Sequence, residues 1–192
     1  MTPELAIIVA WGLWVASWLA AALWSDPAAE RPAVGEEGLY RIVTLAGAFL
    51  LFAGFARFGH VRHRLWDLDQ QTDWTLVAVA ALGFAFTWWA RLYLGRLWSS
   101  SVTKKADHHM VETGPYAIVR HPIYTGIIAA VFATAVLKGT LIGVAGAILM
   151  TLGFWIKARL EERFLREQLG ADAYDSYRRR VPMLMPFGPK ST

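Results

Sequence analysis

The sequence contains no cysteine among its 192 residues. That absence excludes disulfides, thiolate zinc sites and a cysteine nucleophile, and it leaves the redox compartment open. No strand runs into a glycine-rich turn and helix, so a Rossmann-type cofactor site is excluded. A Walker loop and a Gly-x-Ser-x-Gly elbow are missing too. Charge is absent over long stretches: Leu5 to Trp24, Trp74 to Ala90 and Gly139 to Ile156 carry none.

What remains is strongly apolar. Hydrophobic residues make up 56% of the chain, with 10 Trp, and the mean hydropathy is +0.36. A soluble domain of this length has too little interior to hide that much apolar surface. A membrane span needs about 20 apolar residues, with about 17 as the lower limit. Two shorter blocks, Ile42 to Ala56 and Ile123 to Leu137, need tilt or flanking aromatic and polar residues to complete a crossing. The chain reads as an all-α integral membrane protein with about five transmembrane helices.

The expected crossings are Leu5 to Trp24, about Leu39 to Gly59, Trp74 to about Tyr93, and a hairpin over Ile123 to Ile156 that turns near Lys138 and Gly139. One helix over the hairpin stretch would measure about 50 Å, against a hydrocarbon core of about 30 Å. Gly139, Gly143 and Gly146 are expected to let helix backbones approach. The first block exceeds the apolar core of a signal peptide and follows Thr2, Pro3 and Glu4 rather than a basic lead, so a retained helix is expected. A polar segment, Arg96 to Arg120, separates crossings three and four. A separate amphipathic helix is expected over about Lys157 to Leu169, followed by a Tyr- and Arg-rich tail. The chain thus divides into residues 1–94, three crossings, and 95–192, which holds the polar chemistry.

Basic residues set the expected orientation. Arg57, Arg62, Arg64 and Lys138, four of the 19, share the face of the N-terminus, and the remaining 15 lie on the other. The positive-inside rule places the polar segment and the C-terminus in the cytoplasm. The net charge of +4 sits at the ends of apolar blocks, which indicates anionic headgroups rather than nucleic acid. His60 and His63 have the spacing of a metal pair, but they lie among Arg62 and Arg64, where a headgroup-level role is simpler and no metal site is assigned.

Polar groups concentrate in two places. One is His108-His109-Met110-Val111-Glu112-Thr113-Gly114-Pro115-Tyr116, continuing through Arg120-His121-Pro122-Ile123-Tyr124-Thr125-Gly126; the other begins at Glu161-Glu162. Gly114-Pro115 makes a turn, and Pro122 can start a helix. The residues alone leave two readings of the first stretch: a pocket for a planar, polar cofactor, or an interfacial aromatic belt with Arg120 reaching headgroups.

The run from Thr113 to Gly126 resembles the Gly-x-Tyr-x-x-x-Arg-His-Pro-x-Tyr-x-Gly signature of the isoprenylcysteine carboxyl methyltransferase family. Glu161-Glu162-x-x-Leu165, Leu169-Gly170, Tyr174-x-x-Tyr177 and Arg180-Val181-Pro182 are similar to its C-terminal signature. The resemblance covers roughly Gly95 to Phe187, and phospholipid methyltransferases share much of the pattern. It implies S-adenosylmethionine as cofactor, lined by His108, His109, Met110 and Val111, with Tyr116, His121, Pro122, Ile123 and Tyr124 forming the pocket. Glu161 would face the cofactor's ammonium in a cytoplasmic cap. The substrate-side arginine of the family falls on Lys157, with Arg159 as a neighbour that can substitute, so Lys157, Arg159 and Glu161 are the expected catalytic set. Lysine lacks arginine's bidentate fork. Glu112 stands where the family usually has Thr, and a family glutamine falls on Ser101.

The implied reaction is methyl transfer to a lipophilic substrate from the bilayer, with a carboxylate favoured over a phospholipid amine. A non-catalytic lipid-binding scaffold is the rival of another class. For Glu161 and Glu162 the plain alternative is a solvated helix with pairs Lys157–Glu161 and Glu162–Arg166.

Overall fold

The computed structural model describes residues 1–22, 34–53, 64–95 and 110–190. Six α-helices account for most of them: α1 (Pro3–Ala22), α2 (Val34–Phe52), α3 (Gln70–Leu94), α4 (Pro122–Lys138), α5 (Leu141–Leu169) and α6 (Ala171–Arg180). No strand occurs among the described residues. Helices α1, α3 and α5 are long and apolar enough to cross a membrane, and α4 is a shorter apolar helix. The protein is an integral membrane protein.

The bundle is built by neighbours: α1 packs on α3, α3 on α4, α4 on α5, and α5 on α2. Its tightest crossings use glycine. A Cβ on Gly83 of α3 would lie 2.5 Å from the Gly126 carbonyl oxygen of α4. A Cβ on Gly146 of α5 would lie 2.5 Å from the Leu51 nitrogen of α2, and one on Gly47 equally close to Met150. Without side chains between them, backbones gain dispersion contacts that lipid cannot supply. Of the three glycines expected at helix contacts, Gly146 is so used. Gly143 faces Lys138 and Thr140 of its own hairpin instead.

The hairpin between α4 and α5 turns where expected. Gly139 adopts the left-handed conformation (φ 64°), and its N–H returns to the Ala135 and Val136 carbonyls. Thr140 then caps α5 by accepting from Gly143 N. Lys138 is buried, and its ammonium donates to the Leu50, Leu51 and Ala53 carbonyls at 3.2, 2.8 and 2.5 Å. It therefore caps the C-terminal end of α2, where the helix dipole favours a cation. Arg91 does the same at the opposite end of the bundle. Its buried guanidinium donates to Gly95 O (2.5 Å) and Ala21 O (3.0 Å), closing α3 and α1 together.

Two boundaries differ from those read in the sequence. Helix α5 runs unbroken through Lys157, so the amphipathic helix expected at 157–169 is its continuation. No proline or glycine lies between Gly153 and Gly170 to stop it, and it ends only where Gly170 takes φ 92°. At 1.5 Å per residue its 29 residues reach about 43 Å, well beyond a core of about 30 Å, so its last turns project from the bilayer. Helix α2 begins five residues earlier than expected, at Val34; its expected end at Gly59, like His60 and His63, lies outside the described residues.

Candidate active site

The site is assembled where the first turn of α4 meets the projecting end of α5. Pro122 supplies the fixed φ of a first helical turn and needs no N–H partner there. The preceding residues are held by the tail: Arg120 N donates to Pro182 O (2.9 Å) and His121 N to Met183 O (3.1 Å). Thr125 Oγ1 donates to Leu184 O at 2.6 Å. The extended chain after α6 is thus laced along the entrance to α4.

On α5, Phe154, Lys157 and Glu161 follow one another at spacings of three and four, which puts them on one stripe. His121 and Tyr124 stack in parallel (centroids 5.5 Å, interplanar 6°), and Tyr124 stacks on Phe154 at 5.3 Å. Tyr124 donates to Glu161 Oε1 at 2.5 Å, and Lys157 Nζ lies 3.9 Å from the same oxygen. The lysine ammonium also sits 5.3 Å from the Tyr124 ring and 5.5 Å from the ring of Tyr40 on α2.

The two adjacent glutamates take different parts. Glu162 is consumed by the protein: Arg120 Nε donates to it at 2.7 Å, His121 Nε2 lies 3.3 Å away and Arg178 Nε 3.5 Å away. Glu161 meets His121 Nδ1 at 3.5 Å, Tyr124 and Lys157. Its side chain is 20% exposed against 5% for Glu162, so Glu161 is the carboxylate a bound molecule can reach. Burial alone would push the His121 ring below its ordinary value. Its bonds to Glu161 and Glu162 outweigh that and hold it above, which favours the imidazolium with both ring nitrogens donating.

Other expected site residues fall around this cluster. Tyr116 lies in a short 3-10 helix, Gly114–Ala117. Its carbonyl accepts from Tyr177 OH at 2.7 Å, and its own hydroxyl reaches Ala90 O at 3.5 Å. Val111 packs on the main core with Ile123, whereas Met110 packs on Tyr174, Tyr177 and Val181. Burial raises both of those tyrosines above their ordinary range. His108 and His109 lie outside the described residues, as does Ser101.

Arg159 is not brought to the cluster. It is exposed on the other side of α5, its guanidinium 5.7 Å from the Trp155 ring. Nor is Arg120 a headgroup anchor: its side chain is 2% exposed, and it also donates to Arg178 O and, over a short bond, to Val181 O. Of the two surface pairs, Lys157–Glu161 forms, but Arg166 pairs with Asp175 at 2.9 Å. Glu162 faces inward because 158 and 162 share the buried stripe with Leu165. The clasp role of Glu162 and the contribution of Tyr40 were missed in the sequence. An uncompensated acid within an otherwise apolar stripe was the available signal for Glu162, whereas α2 carries no motif.

Residues 76–167 match the model of the isoprenylcysteine carboxyl methyltransferase (ICMT) family. This segment belongs to that family. It spans most of α3, all of α4 and nearly all of α5, and so includes His121, Tyr124, Lys157, Glu161 and Glu162. A protein-S-isoprenylcysteine O-methyltransferase of Schizosaccharomyces pombe is 33% identical over 52% of this chain and 43% of its own length. The nickel-cobalt-cadmium resistance protein NccN of Alcaligenes xylosoxydans xylosoxydans is 26% identical over 78% of this chain and 63% of its own. Methanethiol S-methyltransferase 2 of Bradyrhizobium diazoefficiens is 43% identical over 37% of this chain and 26% of its own. The chain thus covers less than two thirds of each of these relatives.

Proposed function

We propose that the protein is an S-adenosylmethionine-dependent methyltransferase that takes a lipophilic acceptor from the bilayer, with its site facing the cytoplasm. The observation that carries this reading is Glu161: a half-buried carboxylate beside stacked rings, reachable from outside the cluster. The donor set suits the cofactor. A carboxylate suits an ammonium, and an aromatic face such as that of Tyr124 suits a sulfonium. When bound, S-adenosylmethionine supplies an electrophilic methyl group whose transfer leaves a neutral thioether. Glu161 binds the cationic end, His121 and Tyr124 fix that carboxylate, and the apolar stripe of α5 excludes water.

Lys157 faces the acceptor side. Its ammonium attracts an anionic nucleophile, which needs no base, so a carboxylate is the favoured acceptor. The two curated enzyme classes among the relatives are named for a carboxyl-bearing isoprenylcysteine and for a thiol. Both acceptors are apolar, sulfur-containing molecules, but a carboxylate is already anionic at neutral pH, whereas a thiol must first lose its proton. S-methylation of a small thiol is the second reading, favoured by the 43% identity to the methanethiol enzyme. The charge argument for a carboxylate over a phospholipid amine is narrower than the sequence indicated, because Arg159 points away and Glu161 lies beside Lys157. Cytoplasmic orientation rests on the partition of basic residues.

The test is methyl transfer by purified protein from labelled cofactor to an S-farnesylated cysteine analogue, an alkyl thiol or phosphatidylethanolamine. Base-labile methyl ester in the first supports the carboxylate reading. Label confined to the thiol or to the phospholipid headgroup replaces it with the corresponding acceptor, and none in any of the three contradicts the enzyme reading.

A further inference from the structure

Helix α2 lies outside the segment that matches the family, yet it supplies a wall of the site. Tyr40 is 5% exposed, and its hydroxyl is buried with no hydrogen-bond partner among the described residues. One turn earlier, Glu37 is 8% exposed; its Oε2 accepts from Arg41 at 2.5 Å, while its Oε1 is buried and likewise unsatisfied. An unsatisfied buried polar atom carries a desolvation penalty, and among the described residues the Arg41 guanidinium comes near the Tyr40 hydroxyl without hydrogen-bond geometry. Two on one helix face, beside the ammonium of Lys157, are not explained by packing. Tyr40 packs with Leu160, Ile156 and Phe164, and phenylalanine would fill that apolar niche without an orphaned oxygen.

We propose that Tyr40 is an acceptor-positioning residue: its hydroxyl donates a hydrogen bond to the anionic head of the methyl acceptor held against Lys157. The inference rests on the methyltransferase reading and deepens it. Tyr40 and Tyr124 stand at nearly equal distances from the Lys157 ammonium, 5.5 and 5.3 Å. Tyr124 is committed to Glu161 on the cofactor side, which leaves Tyr40 as the hydroxyl available to the acceptor. Lysine offers a point charge and no fixed fork, so a second donor is needed to orient a two-oxygen head. The phenol of Tyr40 supplies that direction, and it does so from a helix outside the segment that matches the family. Acceptor preference is thereby set in the part of the chain without a motif.

The experiment compares wild type with Tyr40→Phe, using calorimetric cofactor affinity, thermal unfolding without ligands, and kcat/KM for the farnesylated cysteine analogue. A wild type that methylates only an alkyl thiol or phosphatidylethanolamine would overturn the inference, because neither reacting group is a two-oxygen anion. The expected result is unchanged cofactor affinity, an unfolding temperature equal to or above wild type, and a kcat/KM about tenfold or more lower, the size of one lost hydrogen bond to a charged group. A lower unfolding temperature would show the hydroxyl to be a structural bond and overturn the inference. An unchanged kcat/KM would overturn it while leaving the methyltransferase reading standing. A wild type that binds no cofactor and methylates none of the probes would overturn both.

Discussion

Arg120 and Glu162, 42 residues apart, meet at 2.7 Å with side chains 2% and 5% exposed. Both signature stretches are locked together through this pair, and Arg120 Nη1 also donates to the Arg178 and Val181 carbonyls. Such a pair contributes little over an apolar replacement, but halving it leaves a buried charge. Arg120→Ala is expected to destabilise by about 3–5 kcal/mol, read as thermal unfolding in detergent. Arg120→Lys should recover only part, since an ammonium cannot reproduce the fork. A wild-type-like Arg120→Ala would contradict the clasp.

Lys138 offers a second test at the far end of the bundle. Lys138→Met keeps the apolar stem and removes three charge-assisted bonds to α2, so a loss of about 2–3 kcal/mol is expected. Cofactor affinity should not change, because the cap is remote from Glu161. Loss of binding without loss of stability would contradict this assignment.

The crossing of α3 and α4 predicts a contrast between two glycines. Gly83→Ala places a methyl against the Gly126 carbonyl oxygen and should cost about 1–3 kcal/mol. Gly12→Ala meets nothing within 4 Å and should be neutral or stabilising by up to about 1 kcal/mol through helix propensity. Equal unfolding temperatures for the two variants would dispute the close approach.

His121 makes stability depend on pH. The groups facing it are Glu161 and Glu162 with Arg120 and Tyr124 close by, and its folded-state value lies above the ordinary one of 6.5. Its contribution is therefore fully present below that ordinary value and lost as pH rises through the raised one. Unfolding temperature should fall across that window in wild type and stay flatter in His121→Gln. A wild-type curve that rises there instead would reverse the sign.

Much of this was legible in the sequence because the informative features are local. Uncharged blocks reveal apolar helices, Pro122 and Gly139 mark a start and a stop, and the spacing around His121 and Glu161 carries the family. What was not legible depends on which way a helix faces. Lys157 interrupts an apolar block and reads as an end, yet α5 continues because its neighbours favour helix and its ammonium finds Glu161. Arg120 and Lys138 count as surface charge until carbonyls from distant helix and tail ends are seen around them. Tyr40 is invisible because its partner, Lys157, is contributed by α5.

The central claim is that Glu161 holds the cationic end of S-adenosylmethionine in the cluster with His121, Tyr124 and Lys157. Isothermal calorimetry of the detergent-solubilised protein, wild type beside Glu161→Gln, tests it most directly. The account predicts saturable binding in wild type and a loss of about tenfold or more in Glu161→Gln, with the fold intact because Glu162 retains Arg120. No binding heat in wild type, or equal affinity in a folded Glu161→Gln, would contradict it.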